Sequence, residues 1–201
     1  MHTSDILTIA QAIVPDRTSM IFDGASISYT RLSERANQLA NALAGVGVKK
    51  GDRIALIDVN TPAHLEVYFA ASRLDAIYVP LNFRDRAGEL LFPLEHSSPK
   101  VIIAGARYES VVQSLRPQLT KSEVFIVIGN EVSSSWIDYE TFISDAPTDE
   151  MYFPDGDDTD PNVILFTAGT TGKPKAATLT HASFTSYMLS SLNPPDPEIE
   201  E

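Results

Sequence analysis

The sequence contains no cysteine among its 201 residues. This absence excludes disulfide bonds, metal sites built from thiolates and a cysteine nucleophile. It also fits a reducing compartment. Whatever chemistry the protein performs must therefore come from hydroxyl, amide, imidazole, carboxylate or amine groups.

Basic residues are scarce, with 15 lysines and arginines against 27 aspartates and glutamates, for a formal net charge of -12. Proteins hold nucleic acids mainly by neutralising phosphates with lysine and arginine. We therefore expect no nucleic-acid partner. Any phosphate group that this protein binds must be small and held locally.

Long hydrophobic runs are absent as well. No apolar stretch approaches the ~20 residues that span a bilayer. The segment from Met1 to Gln11 lacks the cationic region and apolar core of a signal peptide. We expect a cytoplasmic protein without a transmembrane segment.

The 43% hydrophobic content instead predicts a globular chain with a packed core. Strand-like apolar runs alternate with segments of helical periodicity, which is typical of α/β folds with a parallel-rich sheet covered by helices. The predicted strands are Ser19 to Asp23 and Ser26 to Tyr29 (a hairpin about Gly24), Arg53 to Val59, Ala76 to Leu81, Val101 to Ala104 and Val124 to Ile128. The first predicted helix begins at a Thr30 cap and ends at Gly45 and Gly47, and the next runs from Thr61 and Pro62 to about Asp75. Two further helices are predicted over Arg86 to Glu95, disturbed by Pro93, and over Tyr108 to Leu115.

An acidic, proline-containing stretch from Asp145 to Asp160 predicts a solvated connector. A calcium loop is the sharper alternative, because Asp155, Asp157 and Thr159 alternate. The sixth position, however, is Asp160 where glycine is required, and the twelfth is Phe166 where glutamate is required. The pattern therefore favours the plain acidic loop.

The last segment, 193–201, is rich in proline and acidic residues and is expected to be disordered. Two interpretations stay open: a natural disordered end, or a point at which a longer sequence was cut. The folded part is expected to be one unit, residues 1–192.

The most informative stretch runs from Asn162 to Lys175. A buried-strand run, Asn162 to Phe166, leads directly into a loop with two glycines, three threonines and two lysines. Backbone amides, hydroxyls and positive charge in one turn suit a phosphate chain. The candidate binding residues are Thr167, Gly169, Thr170, Thr171, Gly172, Lys173 and Lys175.

Two familiar phosphate-binding patterns do not match this loop. The loop of nucleoside triphosphatases places serine or threonine after a Gly-Lys pair, where this chain has Pro174. The dinucleotide fingerprint needs three glycines and an immediate helix, whereas Ala176 to Thr180 is predicted to be a second strand, with a helix only near His181.

Each residue also has a structural explanation. The glycines can form a tight turn between strands, and the lysines can be solvated charges. His181 is equally compatible with a structural and a functional role. Trp136 is expected to pack in the core or on the surface.

The loop resembles that of the AMP-forming adenylate enzymes, which include acyl-CoA synthetases, aryl-CoA ligases, peptide-synthetase adenylation domains and beetle luciferases. Their motif reads Thr-Ser-Gly-Ser/Thr-Thr-Gly-x-Pro-Lys-Gly, with Thr-His a few residues later. This chain has the motif at Thr167 to Ala176, followed by Thr180 and His181. Upstream stretches resemble the family too, from Gly47 to Arg53 and from Val79 to Asn82.

Two positions depart from the motif. Ala168 replaces a serine and so removes one hydroxyl donor, but it leaves the backbone amide in place. Ala176 replaces a glycine, which matters only if that residue needs positive φ.

The resemblance implies attack of a carboxylic acid on the α-phosphorus of ATP, then transfer of the acyl group to a thiol, most often coenzyme A. It implies that the loop residues hold the phosphates, that Lys175 supplies counter-charge and that Thr167 lies near Mg²⁺. Lys173 occupies a variable position and has a supporting role. No catalytic residue is assigned within the chain.

The motifs that hold adenine and ribose, and the catalytic lysine of the family's mobile domain, have no counterpart here. We therefore expect an amino-terminal fragment that is inactive alone and prone to self-association. Two alternatives stay open: another adenylate-forming reaction, with a carrier protein or luciferin, and a non-catalytic module that keeps the fold.

Overall fold

A computed structural model describes residues 1–129, 135–150, 156–167 and 174–191. The helices are α1 (Thr3–Ile13), α2 (Tyr29–Gly45), α3 (Ala63–Arg73), α4 (Ala87–Ser97), α5 (Glu109–Leu115), α6 (Tyr139–Ser144) and α7 (His181–Ser191), with 3₁₀ turns at Ala106–Tyr108 and Arg116–Gln118. The strands are β1 (Thr18–Phe22), β2 (Ala25–Ser28), β3 (Arg53–Ile57), β4 (Ile77–Pro80), β5 (Val101–Gly105), β6 (Val124–Ile128), β7 (Ile137–Asp138), β8 (Pro161–Thr167) and β9 (Lys175–Thr180).

Within these residues the main sheet has seven strands in the order β7-β6-β5-β3-β4-β8-β9. All neighbouring strands are parallel except β8 and β9, which are antiparallel. The strands β1 and β2 form a separate antiparallel hairpin. The predicted α/β class, with a parallel-rich sheet covered by helices, is confirmed.

Both faces of the sheet are buried along its central strands. Along β3, Ile54 and Leu56 belong to the apolar cluster that contains residues of α2, α3 and α6, whereas Ala55 and Ile57 belong to the cluster on the other face with residues of α4 and α5. Successive side chains of a strand point to opposite faces, so a strand covered on both sides must be apolar throughout. This is why Arg53 is followed by four apolar residues in β3.

The hairpin about Gly24 is confirmed, and Gly24 has a φ of +76° that suits glycine. The predicted cap of α2 was wrong by two residues. The Ser28 hydroxyl, not that of Thr30, accepts the hydrogen bond from the Arg31 backbone N–H at 3.1 Å. Thr30 lies in the first turn and its hydroxyl donates to the carbonyl of Pro15.

The predicted start of α3 also needs correction. The Thr61 hydroxyl makes no capping bond and instead donates to the Asp58 carboxylate at 3.4 Å. Pro93 lies inside α4, which continues past it to Ser97. The remaining predicted helices and strands of the first 128 residues are present, with ends shifted by a few residues.

The first described part of the acidic connector, residues 145–150, is bound to the domain more closely than its composition suggests. Side-chain amides of Asn37 and Asn41, both on α2, donate to backbone carbonyls of Pro147, Thr148 and Asp149. The connector's Glu150 pairs at 3.1 Å with Arg73, whose side chain is buried. Burial lowers the pKa of Arg73, and the Glu150 charge opposes that change.

Of the residues considered for a calcium loop, Asp155 lies outside the described residues. Asp157 accepts hydrogen bonds from both the backbone and the hydroxyl of Thr159, and Asp160 pairs with Lys50 at 2.6 Å. The Asp157 carboxylate thus belongs to a local turn, whereas that of Asp160 pairs with a lysine from a distant part of the chain. The predicted disordered end, 193–201, also lies outside the described residues.

Candidate functional site

The predicted phosphate loop lies at the tip of the β8–β9 hairpin. The strands pair from Pro161↔Thr180 to Thr167↔Lys175, so the first and last residues of the loop face each other across the hairpin. The positions in between that were predicted to bind phosphate, namely Gly169, Thr170, Thr171, Gly172 and Lys173, lie outside the described residues. The predicted second strand after the loop and the helix at His181 are both present.

The two described candidate binding residues of the loop face solvent. Thr167 and Lys175 are exposed, and the Thr167 hydroxyl lies 3.5 Å from the Lys175 carbonyl oxygen. At that distance the hydrogen bond is marginal. The hydroxyl oxygen of Thr167 and the ammonium of Lys175 are thus accessible to an external group.

The prediction that Val163 to Phe166 is a buried strand was right for its beginning and wrong for its end. Asn162 and Val163 are buried, but the side chain of Leu165 is 36% exposed and Thr167 is exposed. Ile164 and Phe166 pack against the cluster on the α4 side. Among the described residues, the opposite face lacks comparable cover over Leu165, so burial falls toward the loop.

A cavity of about 220 Å³ lies beside the loop, at the edge where β4 and β8 end. Parallel strands bring their carboxyl ends to the same edge, which is where open α/β sheets bind ligands. Residues of three segments line the cavity: Pro80, Leu81, Asn82, Asp85, Glu89, Pro93, Phe166, Thr167 and Pro174. The Val79 to Asn82 stretch and the loop, far apart in sequence, thus meet at one place.

The charge of this cavity comes from two carboxylates that the motif analysis missed, Asp85 and Glu89. Burial raises the pKa of Asp85, the neighbouring Glu89 adds to the rise, and the hydrogen bond from Asn82 opposes it. The Asn82 amide lies 2.6 Å from the Asp85 carboxylate. Neither acid stands in a pattern that marks a site, so only their position beside the loop reveals them.

His181 follows the hairpin and is fully buried. Its Nδ1 lies 3.2 Å from the backbone N–H of Thr3 and 3.1 Å from the Thr3 hydroxyl. Burial, together with nearby His2, lowers the pKa of His181 to about 4. These contacts tie α7 to α1, which supports the structural role. Trp136 is also buried, and its indole N–H donates to Gln113.

The family model for AMP-binding enzymes matches residues 9–198, nearly the whole chain. The chain belongs to the AMP-binding enzyme family. The resemblance drawn from the loop is thereby confirmed, and it extends over the sheet that carries the loop.

Most of the similar curated proteins are named as CoA ligases or CoA synthases. The chain is 34% identical over 171 residues to a feruloyl-CoA synthase of Amycolatopsis sp, a match that covers 85% of this chain and 32% of that protein. It is 32% identical over 186 residues to 3-oxocholest-4-en-26-oate--CoA ligase of Rhodococcus rhodochrous, which covers 90% of this chain and 33% of the relative. The chain spans about a third of the length of the curated relatives it matches.

Solved structures agree with the fold. A putative long-chain-fatty-acid CoA ligase from Rhodopseudomonas palustris superimposes with a TM-score of 0.86 at 28% identity, over 94% of this chain and 47% of that one. The inhibitor-bound N-terminal domain of FACL13 from Mycobacterium tuberculosis gives a TM-score of 0.84 at 28% identity, over 96% and 48% of the two chains. Among the described residues, no helix of this chain is long and apolar enough to cross a membrane.

Proposed function

We propose that the protein takes part in ATP-dependent activation of a carboxylic acid to an acyl-adenylate, followed by transfer to coenzyme A. The observation that carries this proposal is the convergence of the loop ends, Thr167 and Lys175, with the end of β4 around one cavity at the ligand-binding edge of the sheet. Membership of the AMP-binding family supports ATP as the nucleotide that binds there.

The chemistry requires activation because a carboxylate is a poor electrophile at neutral pH. ATP supplies the adenylyl group, and pyrophosphate leaves. The protein's contribution is to position the phosphates and stabilise their charge. We assign phosphate binding to the amides and hydroxyls of Gly169, Thr170, Thr171 and Gly172, with Lys175 as counter-charge and Lys173 in support.

The donors around the cavity are compatible with Mg²⁺, which prefers oxygen ligands. The exposed Thr167 hydroxyl is such a group, and we propose that it lies near the ion. The acidic side chains of Asp85 and Glu89 would repel bare phosphate at this edge, so a divalent cation that accompanies the nucleotide is favoured electrostatically.

Coenzyme A as the thiol acceptor is supported by the names of the relatives. An assay of the gene's full product with a panel of thiols tests this point. Acyl transfer to coenzyme A is expected. Transfer only to a phosphopantetheinyl carrier protein would contradict this proposal and assign the protein to the carrier-dependent enzymes of the family.

Substitution of Lys175, the lysine at the fixed position of the motif, gives the most direct test of phosphate binding. In an active full-length product, Lys175→Ala should reduce kcat/KM for ATP by about 10- to 150-fold, since a charge-assisted contact contributes about 1.5–3 kcal/mol. The matched control is Lys49→Ala, which removes an exposed lysine elsewhere on the surface. Carboxylate-dependent pyrophosphate–ATP exchange is the measurement. Equal rates in the two variants would mean that Lys175 is only a solvated charge.

We propose in addition that the 201-residue chain alone does not form acyl-adenylates. It spans about a third of its relatives, and phosphate contacts alone cannot place both ends of the nucleotide. The purified chain is assayed for exchange of labelled pyrophosphate with Mg²⁺ and short, long and aromatic acids. Exchange clearly above that of Lys175→Ala would show that the chain holds a working site. ATP titration separates an inactive chain that still binds nucleotide from a non-catalytic module that does not.

A further inference from the structure

A second cluster of chemistry-bearing side chains lies at the opposite end of the β8–β9 hairpin from the loop. His2 precedes α1, Asp75 follows α3, and His181 begins α7. One ligand atom from each lies within 4.8 Å of the other two. The hairpin separates this cluster from the loop by five or six residues of strand, or roughly 20 Å, so it is distinct from the nucleotide site.

The cluster is buried and its polar atoms are poorly satisfied. The side chain of Asp75 is 1% exposed and that of His181 0%, while that of His2 is 20% exposed. Among the described residues, neither oxygen of Asp75 accepts a hydrogen bond of good geometry, and Nε2 of His181 has no hydrogen-bond partner. The nearest groups are each other: His2 Nδ1 lies 3.0 Å and His181 Nε2 3.9 Å from the same oxygen, Oδ1.

Burying the Asp75 carboxylate in this arrangement costs free energy. A buried carboxylate without hydrogen-bond donors needs a positive charge beside it. Asp75 also has a φ of +49°, in the left-handed region that favours glycine and that aspartate visits only occasionally. A residue held in this conformation, with its charge buried, suggests that the carboxylate has a role.

We propose that His2, Asp75 and His181 together bind one Zn²⁺ ion. Two imidazoles and one carboxylate are ligands that zinc prefers, and three protein ligands leave a fourth position for water. The ion would satisfy Asp75 Oδ1 and His181 Nε2 at the same time. The present separations of 3.0 and 3.9 Å are close to the roughly 3.3 Å between ligands of a tetrahedral site.

Groups next to His181 and His2 can hold the two histidines in a fixed orientation. Metal-binding histidines usually donate their other ring N–H to an oxygen. The Thr3 hydroxyl oxygen, 3.1 Å from His181 Nδ1, is that acceptor, and Asn162 holds it by donating at 2.9 Å. Because the Thr3 backbone N–H now donates to Nδ1, zinc binding through Nε2 requires this hydrogen bond to break. Nδ1 then carries the ring proton and donates it to the hydroxyl, and the Thr3 N–H must turn to another acceptor. The Asp5 carboxylate accepts from the His2 backbone N–H and fixes its position.

The site is also closed on one side and accessible on another. Gly156 approaches so closely that an added Cβ would overlap the His2 ring and lie 2.6 Å from Asp75 Oδ2. Access remains through the partly exposed His2. The neighbouring charges nearly balance: Lys50 pairs with Asp160, and the amino terminus lies 3.3 Å from Asp158.

The test is calorimetric titration of the chelator-treated, tag-free 201-residue chain with Zn²⁺. One ion per chain is expected. His2→Gln and Asp75→Asn should each weaken binding at least tenfold. Glutamine at the partly exposed position 2 leaves the core intact, and asparagine tolerates the left-handed backbone. The matched control is His96→Gln, which removes an exposed histidine from α4 and should leave the affinity unchanged.

Two further readouts distinguish this site from adventitious binding. Zinc should raise the Tm of the parent chain and of His96→Gln but not that of Asp75→Asn. Co²⁺ in place of zinc should give the intense visible absorption of a four-coordinate site, and His2→Gln should abolish it. The proposal is overturned by the absence of binding, by unchanged affinity in both His2→Gln and Asp75→Asn, or by effective competition from Mg²⁺, which would indicate a site of oxygen ligands only.

Discussion

At the scale of single residues, a network of polar contacts joins three helices around Arg35. Its guanidinium on α2 donates to Glu66 on α3 and to Glu140 on α6, and the Tyr139 hydroxyl donates to Glu66 at 2.6 Å. Burial by itself would lower the pKa of Arg35, but the hydrogen bonds to Glu140 and Glu66 outweigh it and raise that pKa. The guanidinium therefore stays charged within the fold.

The two glutamates should differ sharply in their effect on stability. The side chain of Glu66 is 3% exposed and that of Glu140 is 67% exposed. Glu66→Ala should lower the free energy of unfolding by about 3 kcal/mol, because it leaves buried donors unpaired. Glu140→Ala should cost less than about 1 kcal/mol, as expected for an exposed partner. Urea unfolding of both variants measures the difference, and equal losses would contradict the assignment.

Contacts between residues that are distant in the chain could not be predicted from the sequence. The phosphate loop could be recognised because its residues are consecutive. Arg35, Glu66 and Tyr139 are far apart in the chain, as are His2, Asp75 and His181, and nothing local marks them as partners. Asp85 and Glu89 were missed because the loop that they adjoin lies far from them in sequence.

At the scale of elements, the alternation of apolar runs and helical segments predicted most helices and strands, because the central strands are covered on both faces and are apolar throughout. It missed α1, α6 and the two-residue strand β7. Strand order could not be predicted, because it depends on which crossovers pass over which face. The capping residue of α2 was misplaced since two candidate hydroxyls, those of Ser28 and Thr30, lie two positions apart.

The corrected cap leads to a prediction about α2. Ser28→Ala should destabilise the domain by about 1 kcal/mol, because it removes the acceptor for the Arg31 N–H. Thr30→Ala should cost less than half as much, since its hydroxyl donates to the carbonyl of the exposed Pro15, in the connection between α1 and β1. Thermal unfolding monitored by circular dichroism compares the two. A larger loss for Thr30→Ala would restore the cap first predicted.

At the scale of the whole molecule, apolar side chains remain exposed on the last described elements. Leu165 on β8 is 36% exposed, and Tyr187, Met188 and Leu189 on α7 are 72%, 40% and 59% exposed. Contiguous apolar surface favours association. We therefore expect the isolated chain to self-associate in spite of its charge of -12.

This expectation is tested by sedimentation velocity over a concentration series. The double variant Tyr187→Lys and Leu189→Lys should shift the chain toward monomer. Ile21→Lys, a change at a side chain of the β1–β2 hairpin that is also 72% exposed, serves as the control and should not. A parent chain that stays monomeric throughout the series would disprove the idea.

The hairpin of β8 and β9 joins the sheet at the edge of β4, with Tyr78 and Val163 as the register pair, more than eighty residues apart in sequence. The five strands before it already pair among themselves. Contacts that close such long loops tend to form late. The hairpin should thus be the last part of the sheet to assemble during synthesis and the first to open afterwards. Amide hydrogen exchange should be faster in β8 and β9 than in β3 and β5, so that the strands adjoining the phosphate loop form the least protected part of the sheet.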